Sequence, residues 1–245
     1  MTETTREHYY TVLDSTMIRA RSLAATEHRD DNCAAFWVRT DHQTAGRGRR
    51  DRSWVDSPGN DLLATYAIRR GGPLDPGDRI PGTLALRAAA AVYDTVHRHA
   101  PGVLSIKWPN DILLEGRKLA GILLEADPRW FYIGIGINVA GLPDDRDVAR
   151  VDPTDLPPTS LAGVTTAPAP ADLFPALQEH VRRYLSGEEW LELVDRVLAW
   201  RGRAVTVEID GVVRSSGTLS GVARDGALLL ESPRESVYAG TVRLK

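Results

Sequence analysis

Residues 46–52 read Gly-Arg-Gly-Arg-Arg-Asp-Arg, four arginines and two glycines within seven positions. Gln43 precedes this run and Trp54 follows it. A guanidinium presents a planar fork of donors that never loses its charge, so it suits phosphate and carboxylate oxygens. Gly46 and Gly48 let the backbone bend and approach a ligand closely. Arg47, Arg49, Arg50 and Arg52 repel one another unless an anion or solvent separates them. The run therefore reads as an anion site, although a solvated basic loop or a nucleic-acid patch has the same local signature.

Three further stretches have side chains able to do chemistry. Lys107-Trp108-Pro109-Asn110-Asp111 should close a strand, because Pro109 cannot donate to a sheet ladder, and should present Asn110 and Asp111 at its end. Arg117-Lys118-Leu119-Ala120-Gly121-Ile122-Leu123 sets Lys118 at the mouth of an apolar strand, either in solvent or aimed at an anion. Gly134-Ile135-Gly136-Ile137-Asn138 alternates glycine and isoleucine, leaving one face bare for something flat to lie on the backbone. Gly134-x-Gly136 lacks the third glycine of a dinucleotide fingerprint, and no P-loop run occurs. The six histidines show no metal-ligand spacing near these stretches. Trp54 fits either a core aromatic or a stacking platform. No Ser-His-Asp nucleophile pattern stands out.

These stretches need a scaffold. Asp14-Ser15 offers capping oxygens ahead of Met17, Ala20 and Ala24, which fit one helix face. Residues 34–39 and 62–68 read as strands on either side of the arginine run. Leu84, Ala88, Val92 and Val96 recur every four residues and predict a core-facing helix over 83–99, with His97 and His99 solvated near its end. Apolar runs at 103–108, 119–125 and 131–137 predict three more strands, and Glu115-Gly116 fits a hairpin. Residues 141–172 hold six of the 15 prolines and predict a long surface connection. Leu173, Leu177, Val181 and Tyr184 mark one helix. Ser186 and Glu189, at capping-box spacing, open a second with Trp190, Leu193, Val194 and Val197. Beyond Trp200, residues 204–244 form short β-rich runs split by Asp210-Gly211 and Asp225-Gly226, which predict a small all-β module.

Composition narrows the function classes. The 245 residues suffice for one or two domains, with 42% hydrophobic and 26% charged residues, as in an ordinary globular chain. A net charge of −3 argues against bulk binding to nucleic acid, so the arginines are a local site. One cysteine, Cys33, permits neither an internal disulfide nor a thiolate metal cluster. The start shows no signal peptide and no stretch spans a membrane, so a reducing cytoplasm is the expected compartment.

Taken in order, Gln43-Thr44-Ala45-Gly46-Arg47-Gly48-Arg49-Arg50, Lys107-Trp108-Pro109-Asn110-Asp111, Arg117 to Leu123 and Gly134 to Asn138 closely resemble the biotin protein ligases. Asp14-Ser15-Thr16 matches that family's opening motif. Gly217-Thr218 and Gly226-Ala227-Leu228-Leu229-Leu230 resemble its C-terminal domain. The resemblance implies an α+β fold: a mixed-sheet catalytic domain over residues 1–200, similar to class II aminoacyl-tRNA synthetases and lipoyl ligases, and an SH3-like β-barrel over 201–245. It implies a short form without the winged-helix DNA-binding domain that some members carry. It further implies that biotin attacks ATP to give biotinyl-5′-AMP and pyrophosphate, with Mg²⁺. A lysine of the carboxyl carrier domain of a biotin-dependent carboxylase then takes the biotin, without nucleic acid or membrane, in a monomer or homodimer.

The resemblance also assigns roles. Lys118, Arg49 and Asp111 are the catalytic candidates, Lys118 bridging carboxylate and α-phosphate and Asp111 aiding transfer or helping to place magnesium. Ser15, Thr16 and Gln43 meet the ureido end of biotin. Met17, Gly46, Arg47, Gly48, Gly121, Gly134 and Gly136 complete the biotin set. Arg47, Arg50, Arg52, Trp54, Lys107, Asn110 and Asn138 join Arg49, Asp111 and Lys118 on the nucleotide, with Trp54 by the adenine. No residue is assigned to a protein-held metal. Three departures stand out: Met17 where the family usually has Asn, Asp51 where it has Gly, and Thr65 where Ser is common. Two rivals remain, a lipoate or octanoyl transferase and a non-catalytic biotin-binding protein.

Overall fold

The computed structural model describes residues 5–28, 33–50, 52–72, 75, 81–100, 104–142 and 156–245. Asp51, one of the three departures, lies outside them. A seven-stranded sheet is built from β1 (Arg6–Leu13), β2 (Ala35–Gln43), β3 (Asp61–Arg69), β4 (Leu104–Lys107), β5 (Asp111–Leu114), β6 (Arg117–Ala126) and β7 (Trp130–Asn138). Its spatial order is β1-β2-β3-β7-β6-β5-β4. Strands β1 and β2 run parallel, joined by helix α1 (Thr16–Ala25), and every other pair is antiparallel.

The sheet is two-faced because side chains alternate along each strand. Trp37, Leu62, Ala64, Tyr66, Ile133, Ile135 and Ile137 point to one side. There they meet α2 (Pro81–His97), α3 (Pro170–Ser186) and α4 (Trp190–Arg196). Leu84, Ala88, Val92 and Val96 are fully buried on α2, as their spacing predicted. On the other side α1 covers only part of the sheet, packing Met17, Ala20, Leu23 and Ala24 on Phe36, Val38, Ala67, Trp130 and Tyr132. The rest of that face, with Gly121, Gly134 and Gly136, is left for the site.

A second, five-stranded antiparallel sheet follows, with β8 (Ala204–Ile209), β9 (Val212–Val222), β10 (Leu228–Glu231), β11 (Glu235–Val237) and β12 (Thr241–Leu244) in the order β11-β10-β9-β8-β12. Asp210 and Gly211 both take positive φ at the β8–β9 turn, and Glu115 and Gly116 do so at the β5–β6 turn, which matches the hairpin signals. The apolar side of this sheet is not a separate core. Val205, Val207, Leu219 and Leu228 belong to the same buried cluster as Ile106, Trp108 and Trp190. Trp108 Nε1 also donates to the carbonyl of Gly226 at 2.9 Å. No helix among the described residues is long and apolar enough to cross a membrane.

Several expectations are corrected. Strand β1 was not anticipated, because its residues are mostly exposed and lack an apolar face. Ser15 is the N-cap of α1 but makes no side-chain cap bond, and Asp14 instead accepts from Ser15 N–H at 2.6 Å. The Ser186–Glu189 capping box does not form. Ser186 is the last residue of α3, and its hydroxyl donates back to Arg182 O and Arg183 O. His97 and His99 are half-buried, and the His97 ring stacks on Tyr93. The 141–172 connection is not all surface. Residues 143–155 lie outside the described residues, but Thr159, Ser160 and Leu161 are buried. Residues 157–159 run alongside β6, with Lys118 N–H to Pro157 O and Thr159 N–H to Lys118 O both at 2.9 Å.

Candidate active site

A cavity opens on this part of the sheet, about 950 Å³ when the open solvent at its mouth is counted. Its walls include every sequence-predicted residue except Gly46 and Asn138. Gly46 is buried where the arginine loop closes, and a Cβ there would collide with the Trp54 carbonyl oxygen. Asn138 is buried at the end of β7 and donates its amide to Thr159 O at 2.9 Å and towards Lys118 O at 3.5 Å. That position braces the segment beside β6.

The floor is glycine. A Cβ on Gly136 would lie 2.6 Å from Trp54 Cε2, and one on Gly121 would lie 3.0 Å from Trp54 Cζ3. The indole therefore rests flat on the backbone of β6 and β7. Its Nε1–H is shielded from solvent and has no acceptor among the described residues. A Cβ on Gly134 would likewise lie 3.0 Å from the Met17 methyl. Larger residues at these positions would expel Trp54 and Met17 from the floor.

The polar end is wired in one direction. Thr65 Oγ1 donates to Thr16 Oγ1 at 2.9 Å, and Thr16 Oγ1 donates to Gln43 Oε1 at 3.1 Å. Gln43 Oε1 also accepts the Thr16 N–H at 2.8 Å. With its oxygen doubly used, Gln43 keeps its amide nitrogen as the donor it can offer a ligand. This end is built for a ligand acceptor such as a carbonyl.

The charged end is built by β4, β5 and β6. Lys118 Nζ lies 3.0 Å from Asp111 Oδ1, and Lys107 Nζ lies 3.4 Å from Asp111 Oδ2. Burial pushes the Asp111 carboxyl up, but the two ammonium groups outweigh it and hold the pKa below the usual range. Burial draws the Arg49 guanidinium down while Asp111 pulls it up, and it stays charged. Arg49 donates to Asn110 Oδ1 at 2.8 Å, and Asn110 donates to Ile122 O at 2.8 Å. Six cationic side chains line the cavity against the single carboxylate of Asp111, so the wall suits a polyanion.

The arginine loop is a closed hairpin. Trp54 N–H reaches Gly46 O at 2.9 Å, Gly48 N–H reaches Arg52 O at 2.7 Å, and Arg47 bridges Ser53. Repulsion among the arginines is relieved by splaying. Arg47 goes to Glu125, Arg49 to Asn110, and Arg50 points to Thr241 Oγ1 at 3.4 Å. Sequence reasoning did not assign Ser53, Thr65, Pro109, Ile122, Leu123, Ile135 or Thr241 to the wall. Ile122, Leu123 and Ile135 flank assigned glycines, so adjacency could have found them. Thr241 gave no signal, because it comes from the other sheet.

Comparisons with known proteins agree with this layout. Residues 11–139 match the biotin/lipoate A/B protein ligase family model. The chain is 35% identical to the biotin–[acetyl-CoA-carboxylase] ligase of Paracoccus denitrificans, across 80% of this chain and 84% of that protein. It is 31% identical to the bifunctional ligase/repressor BirA of Bacillus subtilis, across 99% of this chain and 76% of that protein. Its fold superimposes on the Aquifex aeolicus biotin protein ligase in complex with biotin and ATP with a TM-score of 0.77, at 21% identity over 99% of both chains.

Proposed function

Because the chain belongs to the biotin/lipoate A/B protein ligase family, we propose that this biotin ligase activates biotin with ATP, forming biotinyl-5′-AMP and pyrophosphate. A lysine of a biotin carboxyl carrier domain then displaces AMP. The observation that supports this most is the two-ended cavity. A donor end at Gln43 and a cationic end at Lys118, Lys107 and Arg49 are joined by a floor that Trp54 and Met17 form over the glycines. Biotin has matching parts: a ureido carbonyl, an apolar ring and chain, and a carboxylate.

In this reading Ser15, Thr16 and Gln43 hold the ureido group, and the ring packs on Gly134 against Met17. The carboxylate and the α-phosphate, both anionic, meet at Lys118 and Arg49. An oxygen of the carboxylate attacks the α-phosphorus, the bond to the bridging oxygen breaks, and pyrophosphate leaves. Cations fixed beforehand lower the cost of bringing the anions together and offset the charge on the phosphoryl oxygens. Trp54 and Lys107 serve the nucleotide. Asp111 keeps the two lysines apart and oriented, and is placed to steer the incoming carrier lysine. Mg²⁺ belongs to the nucleotide substrate. Its ligands would be the phosphates and water, with Asp111 the carboxylate on the wall that could help to place it. Residues 1–200 act as the catalytic domain, and 201–245 as a β-module that lends Thr241 to the wall.

The test is biotin-dependent ATP–pyrophosphate exchange, run beside lipoate and octanoate. Exchange with biotin alone supports the reading. Exchange only with lipoate or octanoate would assign the chain to the other branch of its family, and biotin binding without exchange would make it a binding protein.

A further inference from the structure

Strand β6 presents Gly121, Leu123 and Glu125 in succession on the cavity face, since alternate residues share a side. Gly121 and Leu123 are wall residues. Glu125 comes next, beyond Leu123, opposite Tyr132 of β7. It is partly buried and gathers two arginines from different elements. Arg47 of the loop hairpin reaches Oε1 at 2.9 Å, and Arg21 of α1 reaches Oε2 at 2.8 Å through Nη2 and 3.0 Å through Nε. Arg21 is itself placed by stacking on the Tyr132 ring, 5.0 Å from its centroid, and Tyr132 donates to Asp127 at 2.6 Å. Glu125 is thus fixed from the α1 side by Arg21 and holds Arg47 of the hairpin with its other oxygen.

We propose that Glu125 is a positioning residue that latches the arginine hairpin over the Leu123 side of the cavity and so governs how fast the ligand held there leaves. Arg47 spans from the hairpin to Glu125, the next residue after Leu123 on this face, so a ligand held on that side leaves when the pair opens. The carboxylate does not touch the reacting atoms. The inference rests on the biotin-activating reading only for the choice of ligand.

Two measurements on Glu125→Gln and Glu125→Asp test it. The first needs no ligand: trypsin cleavage after the arginines of residues 46–54. The second is biotin dissociation, followed by tryptophan fluorescence at low and high salt. Glu125→Gln should be cut in the loop and should release biotin roughly fivefold faster, the scale of one partly exposed ion pair. Its release should lose the acceleration by salt that screening of the pair gives the wild type. Glu125→Asp should restore much of both. Exchange at saturating biotin should stay within about twofold of wild type, since an opened latch acts on residence and not on the charges at the reacting end. Unchanged loop cleavage and unchanged release would overturn the latch. Faster cleavage everywhere with a wild-type salt response would also overturn it, marking a merely structural role. If loop cleavage responds but wild type does not bind biotin, the latch stands and the biotin reading fails.

Discussion

The Trp54 indole lies so close over Gly136 that a single added Cβ would sit 2.6 Å from its Cε2. The floor of the cavity therefore exists only because β7 has no side chain at this position. The Lys118 ammonium lies 5.7 Å from the ring centroid.

Gly136→Ala should displace the indole and shift Lys118 with it. Overpacking of this type costs about 1–3 kcal/mol. The expected outcome is a folded protein with exchange activity reduced at least tenfold. Adding Trp54→Ala should relieve the clash but not restore the activity, because the wall is then missing. Wild-type exchange by Gly136→Ala would show that the floor has slack.

Lys118→Ala removes one preorganised cation from the charged end and leaves Asp111 with Lys107 alone. The expected loss in adenylate formation is on the order of 10²–10³. Circular dichroism and melting should change little, since Lys118 is partly exposed. A folded variant with near-normal exchange would exclude Lys118 from the reaction.

Met17 stands in an apolar set with Leu23, Phe36 and Trp130, and its methyl rests on Gly134. Met17→Asn would bring an amide to the ligand but bury it among these side chains when the cavity is empty, at about 1–3 kcal/mol of stability. One added hydrogen bond of roughly 0.5–1.5 kcal/mol should tighten biotin about tenfold or less. Calorimetric titration and thermal melting together check both halves. Weaker biotin binding would show that the amide cannot reach.

Thr65→Val breaks the relay to Thr16 and Gln43, whereas Thr65→Ser keeps it. The valine variant leaves the Thr16 hydroxyl without its donor, at about 1–3 kcal/mol. Its KM for biotin should rise with kcat little changed, and the serine variant should match wild type. Equal KM values for all three proteins would separate the relay from biotin recognition.

Asp61 starts β3, 2% exposed, and accepts Ser57 N–H at 2.7 Å and Val139 N–H at 3.3 Å. Burial pushes its pKa up to about 7, with nearby Asp56 adding and the two N–H groups opposing. The folded protein then keeps a proton that the unfolded chain releases above pH 4. The resulting stability is fully present below about pH 4 and is lost as pH rises to 7, at about 1.4 kcal/mol per pKa unit. Asp61→Asn should flatten the melting temperature across pH 4–7. An unchanged pH profile would show that Asp61 ionises freely.

Much of the site was legible locally. Gly134 and Gly136 signalled a bare strand face by their spacing of two, and Lys118 and Asp111 were flagged by their places at strand ends. Helix α2 was legible from its four-residue period, and the turns at Glu115-Gly116 and Asp210-Gly211 from their dipeptides. Strand β1 and the four-residue β5 were not, because an exposed edge strand has no apolar face and β5 is too short to show a period. The capping oxygens of Asp14 and Ser186 were visible but went to other partners.

The chain by itself determined which chemistry was present: which residues are cationic, where side chains are missing, and where strands end, since those are properties of short stretches. Only the tertiary structure decided how that chemistry is arranged. The splaying of Arg47 to Glu125, Arg49 to Asn110 and Arg50 towards Thr241 joins residues 61 to 191 positions apart. The relay from Thr65 to Gln43 by way of Thr16 on α1 joins residues 49 and 27 positions apart. Such pairs are set by strand register and by the packing of α1 and the second sheet on the first. No local pattern encodes that registration, because it follows from burying both faces of the sheet at once.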